Sequence, residues 1–189
     1  GVFELVEIRR AEANGKVGAP AVVARRQARN GRPQILLYAH HDVQPPGDLS
    51  VWKTPEFQPT LIDGRIFGRG AADDKAGIVT HLTAIKTLLE TLGDDFEVGI
   101  SVFIEGEEEA GSPTFRNFLE ANRDILAADV IIVADSANWT TTTPALTTTL
   151  RGLVSQVIEV HPGVARDKAT LLEALREATQ SRRVRLTNS

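Results

Sequence analysis

Short apolar runs that alternate with helical segments constrain the fold of this chain more than any other feature. The runs are AVVARR (residues 21–26), ILLYA (35–39), VGISVFI (98–104), DVIIVA (129–134) and a longer one at 146–160. Most are nearly continuous in apolar residues, which is typical of strands buried on both faces of a sheet. Strands that alternate with helices predict an α/β fold with a largely parallel sheet flanked by helices.

Two segments between these runs have the spacing of amphipathic helices. In residues 75–93 the apolar positions recur every three to four residues, and Gly93 supplies a stop. These apolar positions are Ile78, Leu82, Ile85 and Leu89. In residues 112–126, Ser112 is expected to cap a helix and Pro113 to occupy its first turn.

Composition excludes several classes of protein. The chain has 21 basic and 25 acidic residues and a formal charge of -4, so neither a nucleic-acid partner nor a membrane-binding surface is expected. Cysteine is absent, which excludes disulfides, thiolate zinc sites and cysteine nucleophiles. This absence fits a reducing compartment, and a cytoplasmic location is therefore expected.

Candidate metal ligands follow three of the predicted strands. His40 and Asp42 follow ILLYA, four glutamates lie within 105–109 after VGISVFI, and Asp135 follows DVIIVA. Ligands of open α/β sheets bind at the carboxyl ends of the strands, so these side chains are expected to share one crevice.

A fourth acidic element, GRGAADDKAG (68–77), lies where a glycine-rich loop meets the next helix. Either Asp73 or Asp74 is expected to face the same crevice. So many carboxylates repel one another unless a cation is present. Imidazole and carboxylate ligands suit zinc, cobalt or manganese better than calcium. The charge count favours two divalent ions, because Asp73, Glu109, Asp135 and one hydroxide supply four negative charges.

Glu108 is then left over and free to carry a proton. Zinc lowers the pKa of bound water from about 15.7 to about 7. At roughly 1.36 kcal/mol per unit, this change favours hydroxide at neutral pH by about 12 kcal/mol. A neighbouring glutamate can take the proton of the water and pass it to a leaving amine. The site therefore favours hydrolysis of amide bonds.

Four motifs resemble the successive metal-site motifs of a known enzyme family. They are YAHHDVQP (38–45), GRGAADDKAG (68–77), EGEEEAGS (105–112) and VADSANW (133–139). The family is that of the di-zinc peptidases, with carnosinase-type dipeptidases, acetylornithine deacetylase, succinyl-diaminopimelate desuccinylase and glutamate carboxypeptidase. The chain is most similar to its dipeptidase branch. The resemblance implies two zinc ions, a small peptide or N-acyl amino acid as substrate, and a homodimer.

The resemblance also implies metal ligands residue by residue. His40 corresponds to a ligand that shares one metal with Asp135. Asp73 corresponds to the carboxylate that bridges the two metals, and Asp74 is its neighbour. Glu109 corresponds to a ligand of the other metal.

Two further acids correspond to catalytic groups of the family. Asp42 matches the acid that orients the ring of the histidine ligand, here His40. Glu108 matches the general base, while His41 falls on a variable position.

The resemblance covers about residues 1–159, which are expected to form a partial catalytic domain. Residues 160–189 are an unrecognised segment that could begin a lid domain, and Arg151 and Gly152 resemble the family's point of entry into that lid. A final histidine ligand and a lid histidine of the family have no visible counterpart. The chain is therefore expected to be part of such an enzyme or a truncated relative, with little peptidase activity by itself.

Two other functions stay open at the level of sequence. The chain could be a catalytically deficient relative that acts as a binding or interaction module. Magnesium-assisted phosphoryl transfer also suits an acidic crevice, but it leaves the context of His40 unexplained. Among single residues, Glu107 is expected to be a solvated bystander and His81 a half-buried histidine of its helix, and the role of Glu105 stays open.

Overall fold

The computed structural model describes residues 1–149, most of which belong to one compact unit, Gly1–Leu146. The strands are β1 (Leu5–Arg9), β2 (Glu12–Ala13), β3 (Lys16–Val17), β4 (Ala21–Arg26), β5 (Gln34–His40), β6 (Thr60–Ile62), β7 (Arg65–Phe67), β8 (Gly99–Glu105) and β9 (Val130–Val133). The helices are α1 (Lys75–Leu92), α2 (Phe115–Ala121) and α3 (Arg123–Leu126), with short 3₁₀ turns at Leu49–Val51 and Glu108–Ala110.

Several expectations fall outside this range. The predicted domain boundary at residues 159–160, the Arg151–Gly152 junction and the helical pattern near residue 171 lie beyond the described residues. The same holds for most of the apolar run at 146–160, whose described part carries no strand. No helix within residues 1–149 is both long and apolar enough to cross a bilayer.

The central sheet has five strands in the order β1-β4-β8-β5-β9. β5 runs parallel to both β8 and β9, whereas β4 runs antiparallel to β1 and β8. The predicted helix-flanked α/β structure is confirmed, and the sheet is mixed, with two parallel and two antiparallel pairs. A parallel pair needs a crossover, which α1 supplies between β5 and β8, whereas the short connection from β1 to β4 permits only antiparallel pairing.

Helices pack on both faces of this sheet. α2 and α3 cover one face, where the rings of Phe103 and Phe118 stack with their centroids 4.9 Å apart. α1 covers the other face through Ile85, which packs in a cluster with Leu37 and Ile104. Both faces of β8 are therefore buried along its whole length, as its continuous apolar sequence predicts.

α1 confirms the predicted helix but places its buried face differently. Gly93 ends the helix with φ +71°, as predicted. The buried residues of α1 are Gly77, His81 and Ile85, while Leu82 is exposed. Including Leu82 in the buried stripe was wrong, because it lies about 100° around the helix from His81. His81 takes the inner position because its ring N–H finds a carbonyl acceptor there.

The start of α2 also differs from the prediction. The helix begins at Phe115 and its N-cap is Thr114, so the prediction of Ser112 as the cap and Pro113 in the first turn was wrong. The free N–H of Thr114 is satisfied instead by the carboxylate of Glu107, at 2.7 Å. An acid seven residues earlier in the chain therefore holds the N-cap residue, which makes no capping side-chain hydrogen bond of its own.

Candidate metal centre

The His40 ring lies at the centre of a cluster of carboxylates. The ring is buried at the end of β5, and its Nε2 lies 2.9 Å from Asp73 Oδ1. The same nitrogen lies 3.8 Å from Asp135 Oδ2 and 3.9 Å from Glu108 Oε2. The structure therefore brings together four residues that the sequence singles out.

Strand register explains this convergence. β5 pairs in parallel with β8 and β9, so that His40 lies opposite Glu105 and Tyr38 opposite Val133. The three strands therefore end at one edge of the sheet, and the residues that follow them meet there. The start of α1 reaches the same edge from the helix layer and supplies Asp73.

Asp74 is buried beside this cluster and has a structural task. Its carboxylate accepts hydrogen bonds from the N–H of His40 and of Gly77, both at 3.1 Å, and so caps α1. One ligand atom each of His40, Asp74 and Asp135 lie within 4.8 Å of one another. Burial raises the pKa of Asp74. Both neighbouring aspartates therefore lie beside the His40 ring. The side chain of Asp73 is exposed to solvent, and that of Asp74 is buried.

Asp42 holds two parts of the site together. Nδ1 of the His40 ring lies 3.2 Å from the main-chain carbonyl oxygen of Asp42 and 3.2 Å from its Oδ1. The same carboxylate accepts the N–H of Glu108 at 3.2 Å and of Glu109 at 2.9 Å. Asp42 thus contacts both the His40 ring and the backbone of the turn Glu108–Ala110.

The position of the His40 ring among these carboxylates favours a bound cation. Because Nδ1–H donates to Asp42, a neutral ring presents the lone pair of Nε2 toward the oxygen of Asp73. Two acceptors at 2.9 Å repel each other unless a proton or a cation lies between them. Burial disfavours the charged ring, yet Asp135 and Glu108 outweigh it and raise the pKa of His40. The donor set of imidazole and carboxylates is one that zinc and related ions prefer.

Glu108 is half-buried at the edge of the cluster. Burial raises the pKa of Glu108; the charge of His40 opposes this, and that of Asp135 adds to it. A carboxylate whose pKa is shifted toward neutrality suits proton transfer.

Glu109 does not reach the cluster. Its Oε2 accepts from the Nε2 amide of Gln44 at 2.8 Å, and the ion pairs of His40 within residues 1–149 do not include it. The structure therefore places this predicted ligand beside the centre, with its carboxylate turned to a glutamine.

Glu107 is buried, and the expectation of a solvated bystander was wrong. Its carboxylate accepts from the N–H of Ala19 at 3.0 Å and from both the N–H and the hydroxyl of Thr114. No periodic signal in the sequence indicates this burial, because both faces of β8 are buried and Glu107 lies beyond the end of that strand.

Buried Glu105 and half-buried Tyr38 form a contact that the sequence does not indicate. Glu105 accepts a hydrogen bond of 2.6 Å from the Tyr38 hydroxyl, and its other oxygen has no partner among the described residues. Burial and the Glu105 carboxylate raise the pKa of Tyr38. His81, expected to be half-buried, is fully buried, and its Nε2 lies 2.9 Å from the Tyr38 carbonyl oxygen.

A family model, described as peptidase family M20/M25/M40, matches residues 36–188. The chain belongs to this family. The match includes all four motifs and continues through most of residues 160–189, where no motif is evident in the sequence.

Relatives of this M20 chain include dipeptidases. It is 37% identical over 135 residues to a cysteinylglycine-S-conjugate dipeptidase of Corynebacterium striatum. The aligned region covers 71% of this chain and 29% of that protein. It is 32% identical over 131 residues to a Beta-Ala-His dipeptidase of Rattus norvegicus, with 68% of this chain and 26% of that protein covered. The chain therefore spans less than a third of the length of these relatives.

A solved structure supports the fold assignment. An M20 family metallo-carboxypeptidase of Sulfolobus solfataricus superposes with a TM-score of 0.58 at 33% identity, covering 70% of this chain and 29% of that one. The fold of most of this chain is thus shared with a protein of the same family.

Proposed function

We propose that this chain carries the greater part of the metal centre of a hydrolase that cleaves peptide or N-acyl amide bonds, with dipeptides as the favoured substrates. The observation that supports this most is the convergence of Asp73, Glu108 and Asp135 on Nε2 of buried His40. Membership of a peptidase family and the similarity to dipeptidases support the same reaction.

The residues that would hold the ions follow from the donor set. His40 and Asp135 would hold one divalent ion, Asp73 would bridge to a second, and Glu109 would complete the protein's share of that second position. Zinc fits these donors, and cobalt or manganese are alternatives. A bound divalent ion supplies Lewis-acid polarisation of a carbonyl and makes water more acidic.

The side chains of the protein itself would orient the centre and move the proton. Asp42 holds Nδ1 of His40, which turns Nε2 toward the metal position. Glu108 lies within reach of the same position, and its raised pKa suits it to accept a proton from water and deliver it to the leaving amine.

The rival functions have less support. The relatives described above give no support to a binding or interaction module. Magnesium-assisted phosphoryl transfer does not use the buried imidazole of His40. The homodimer, the cytoplasmic location and the domain boundary near residue 159 stay predictions.

Metal content is the sharpest test of this function. We expect elemental analysis to find tightly held zinc in the purified chain and none after His40→Ala. In a form of the protein that hydrolyses dipeptides, Glu108→Ala should abolish turnover while zinc stays bound, and Asp73→Ala should lose both. Hydrolysis that persists after rigorous chelation would contradict the proposal.

The chain alone is expected to be a poor catalyst, because the second metal position has only Asp73 and Glu109 from the protein. A kcat of roughly 1 per second or more on a simple dipeptide, the range of ordinary enzymes, would contradict this expectation.

A further inference from the structure

Gln44 makes three hydrogen bonds to a single residue, Glu109. Its main-chain N–H donates to Oε1 at 3.3 Å, and its side-chain amide donates to Oε2 at 2.8 Å. The same amide nitrogen also donates to the main-chain carbonyl of Glu109, at 3.1 Å. Both carboxylate oxygens and the backbone of Glu109 are thus held by one partner across the loop.

This contact completes a clamp that begins with Asp42. Asp42 accepts the N–H groups of Glu108 and Glu109 and so fixes the backbone of the 3₁₀ turn Glu108–Ala110. A fixed backbone leaves the flexible side chain of Glu109 free to rotate. Gln44, two residues after Asp42, fixes that side chain. Asp42 therefore holds the backbone of the turn, and Gln44 holds the side chain of Glu109.

The chemistry of an amide suits this task beside a cation. A carboxylate oxygen has lone pairs for two partners, and Gln44 uses one on each oxygen of Glu109. Each oxygen therefore keeps the capacity to bind a metal. A lysine or arginine could also hold the carboxylate, but its positive charge would oppose a cation at the same place. A neutral donor orients the ligand without that repulsion.

We propose that Gln44 is the positioning residue of Glu109 and that it sets the affinity of the second metal position. The inference rests on the proposed function, because it takes Glu109 as a ligand of that position. In metal sites, groups that orient the ligands typically contribute a factor of about 10 to 100 in affinity.

The test compares zinc and cobalt titrations of the wild-type chain and its variants against a competing chelator. We expect wild type to bind two ions and Gln44→Ala to bind the weaker ion about 10-fold or more less tightly, with the tighter ion unchanged. Gln44→Leu, which keeps the bulk of the side chain but donates no hydrogen bond from it, should weaken it to a similar degree. The cobalt absorption spectrum should change only for the weaker ion.

Gln58→Ala is the matched control, because Gln58 is exposed and its side chain makes no hydrogen bond among the described residues. Melting temperatures without metal identify a variant that is merely destabilised. Equal losses for both ions, or titrations of both Gln44 variants that match wild type, would overturn the inference about Gln44.

Failure of the proposed function looks different in the same experiment. If wild type binds no ion, or His40→Ala binds ions as wild type does, the proposed function itself fails. If wild type binds a single ion that depends on His40, the centre stands and the role of Gln44 is overturned.

Discussion

At the scale of single residues, Glu107 shows how one buried carboxylate joins two segments. It accepts hydrogen bonds from Ala19 and Thr114, which lie before β4 and before α2. We expect Glu107→Ala to lower the free energy of unfolding by about 1–3 kcal/mol, because it leaves buried N–H groups without partners. Urea denaturation of the metal-free chain measures this loss. Glu12→Ala is an exposed control and should change stability by less than about 0.5 kcal/mol.

The pH dependence of this contribution follows from the direction of the pKa shift. Burial alone would raise the pKa of Glu107, but the hydrogen bonds from Thr114 and Ala19 hold it below the ordinary value of 4.5. A lowered folded pKa stabilises the protein above the unfolded pKa, and this stability is lost as the pH falls through the folded pKa. The difference between wild type and Glu107→Ala should therefore shrink in acid. A difference that grows in acid would contradict the assignment.

At the scale of elements, the backbone of α1 at Gly77 packs directly against the chain that follows β9. A Cβ added to Gly77 would overlap the Ala134 carbonyl oxygen, next to the predicted ligand Asp135. Alanine normally favours a helix over glycine, yet we expect Gly77→Ala to destabilise the chain by about 1–3 kcal/mol because of this overlap. Thermal unfolding gives the stability, and a chelator competition should show weaker zinc binding.

Thr83→Ala tests the same helix on its exposed side. It should be neutral or slightly stabilising, since alanine has the higher helix propensity. If Gly77→Ala behaved like Thr83→Ala, close packing between α1 and Ala134 would not be what seats Asp135.

β9 combines an unpaired strand edge, among the described residues, with exposed aliphatic side chains. Within residues 1–149 it pairs only with β5, and its four aliphatic side chains are 44–62% exposed. Exposed apolar strands at the edge of a sheet promote association with other chains. We expect the chain to self-associate as its concentration rises, and Ile131→Lys to reduce this. Light scattering after size-exclusion chromatography measures the effect, and equal association of Ile131→Lys and wild type would contradict it.

At the scale of the whole molecule, metal binding should contribute to stability. The cluster around His40 gathers three acids whose mutual repulsion a cation relieves. A ligand that binds only the folded state at a free concentration of 100 times its Kd stabilises it by about 2.7 kcal/mol. We therefore expect chelation to lower the melting temperature and zinc to restore it. His40→Ala should melt at the same temperature with and without chelator.

Sequence patterns alone predict β4, β5, β8, β9 and α1, and with them the sheet edge at which the site lies. β4 spans the predicted residues 21–26, and α1 ends at the predicted Gly93. Apolar periodicity and helix stop residues are local properties of the chain, and they can be read without knowing what packs against them. The positions of His40, Glu108 and Asp135 follow from strand ends for the same reason, and that of Asp73 follows from the loop before α1.

Which side of an element is buried, and which polar groups pair, depends on the tertiary structure. The partners of Glu107 lie up to 88 residues away in the chain, and Gln44 and Glu109 are separated by 65. Sequence spacing carries no information about such contacts, because they depend on how β5, β8 and the loops meet in space. For this reason the acid run divides into a buried carboxylate that joins two segments, Glu107, a carboxylate beside His40, Glu108, and a carboxylate held by an amide, Glu109.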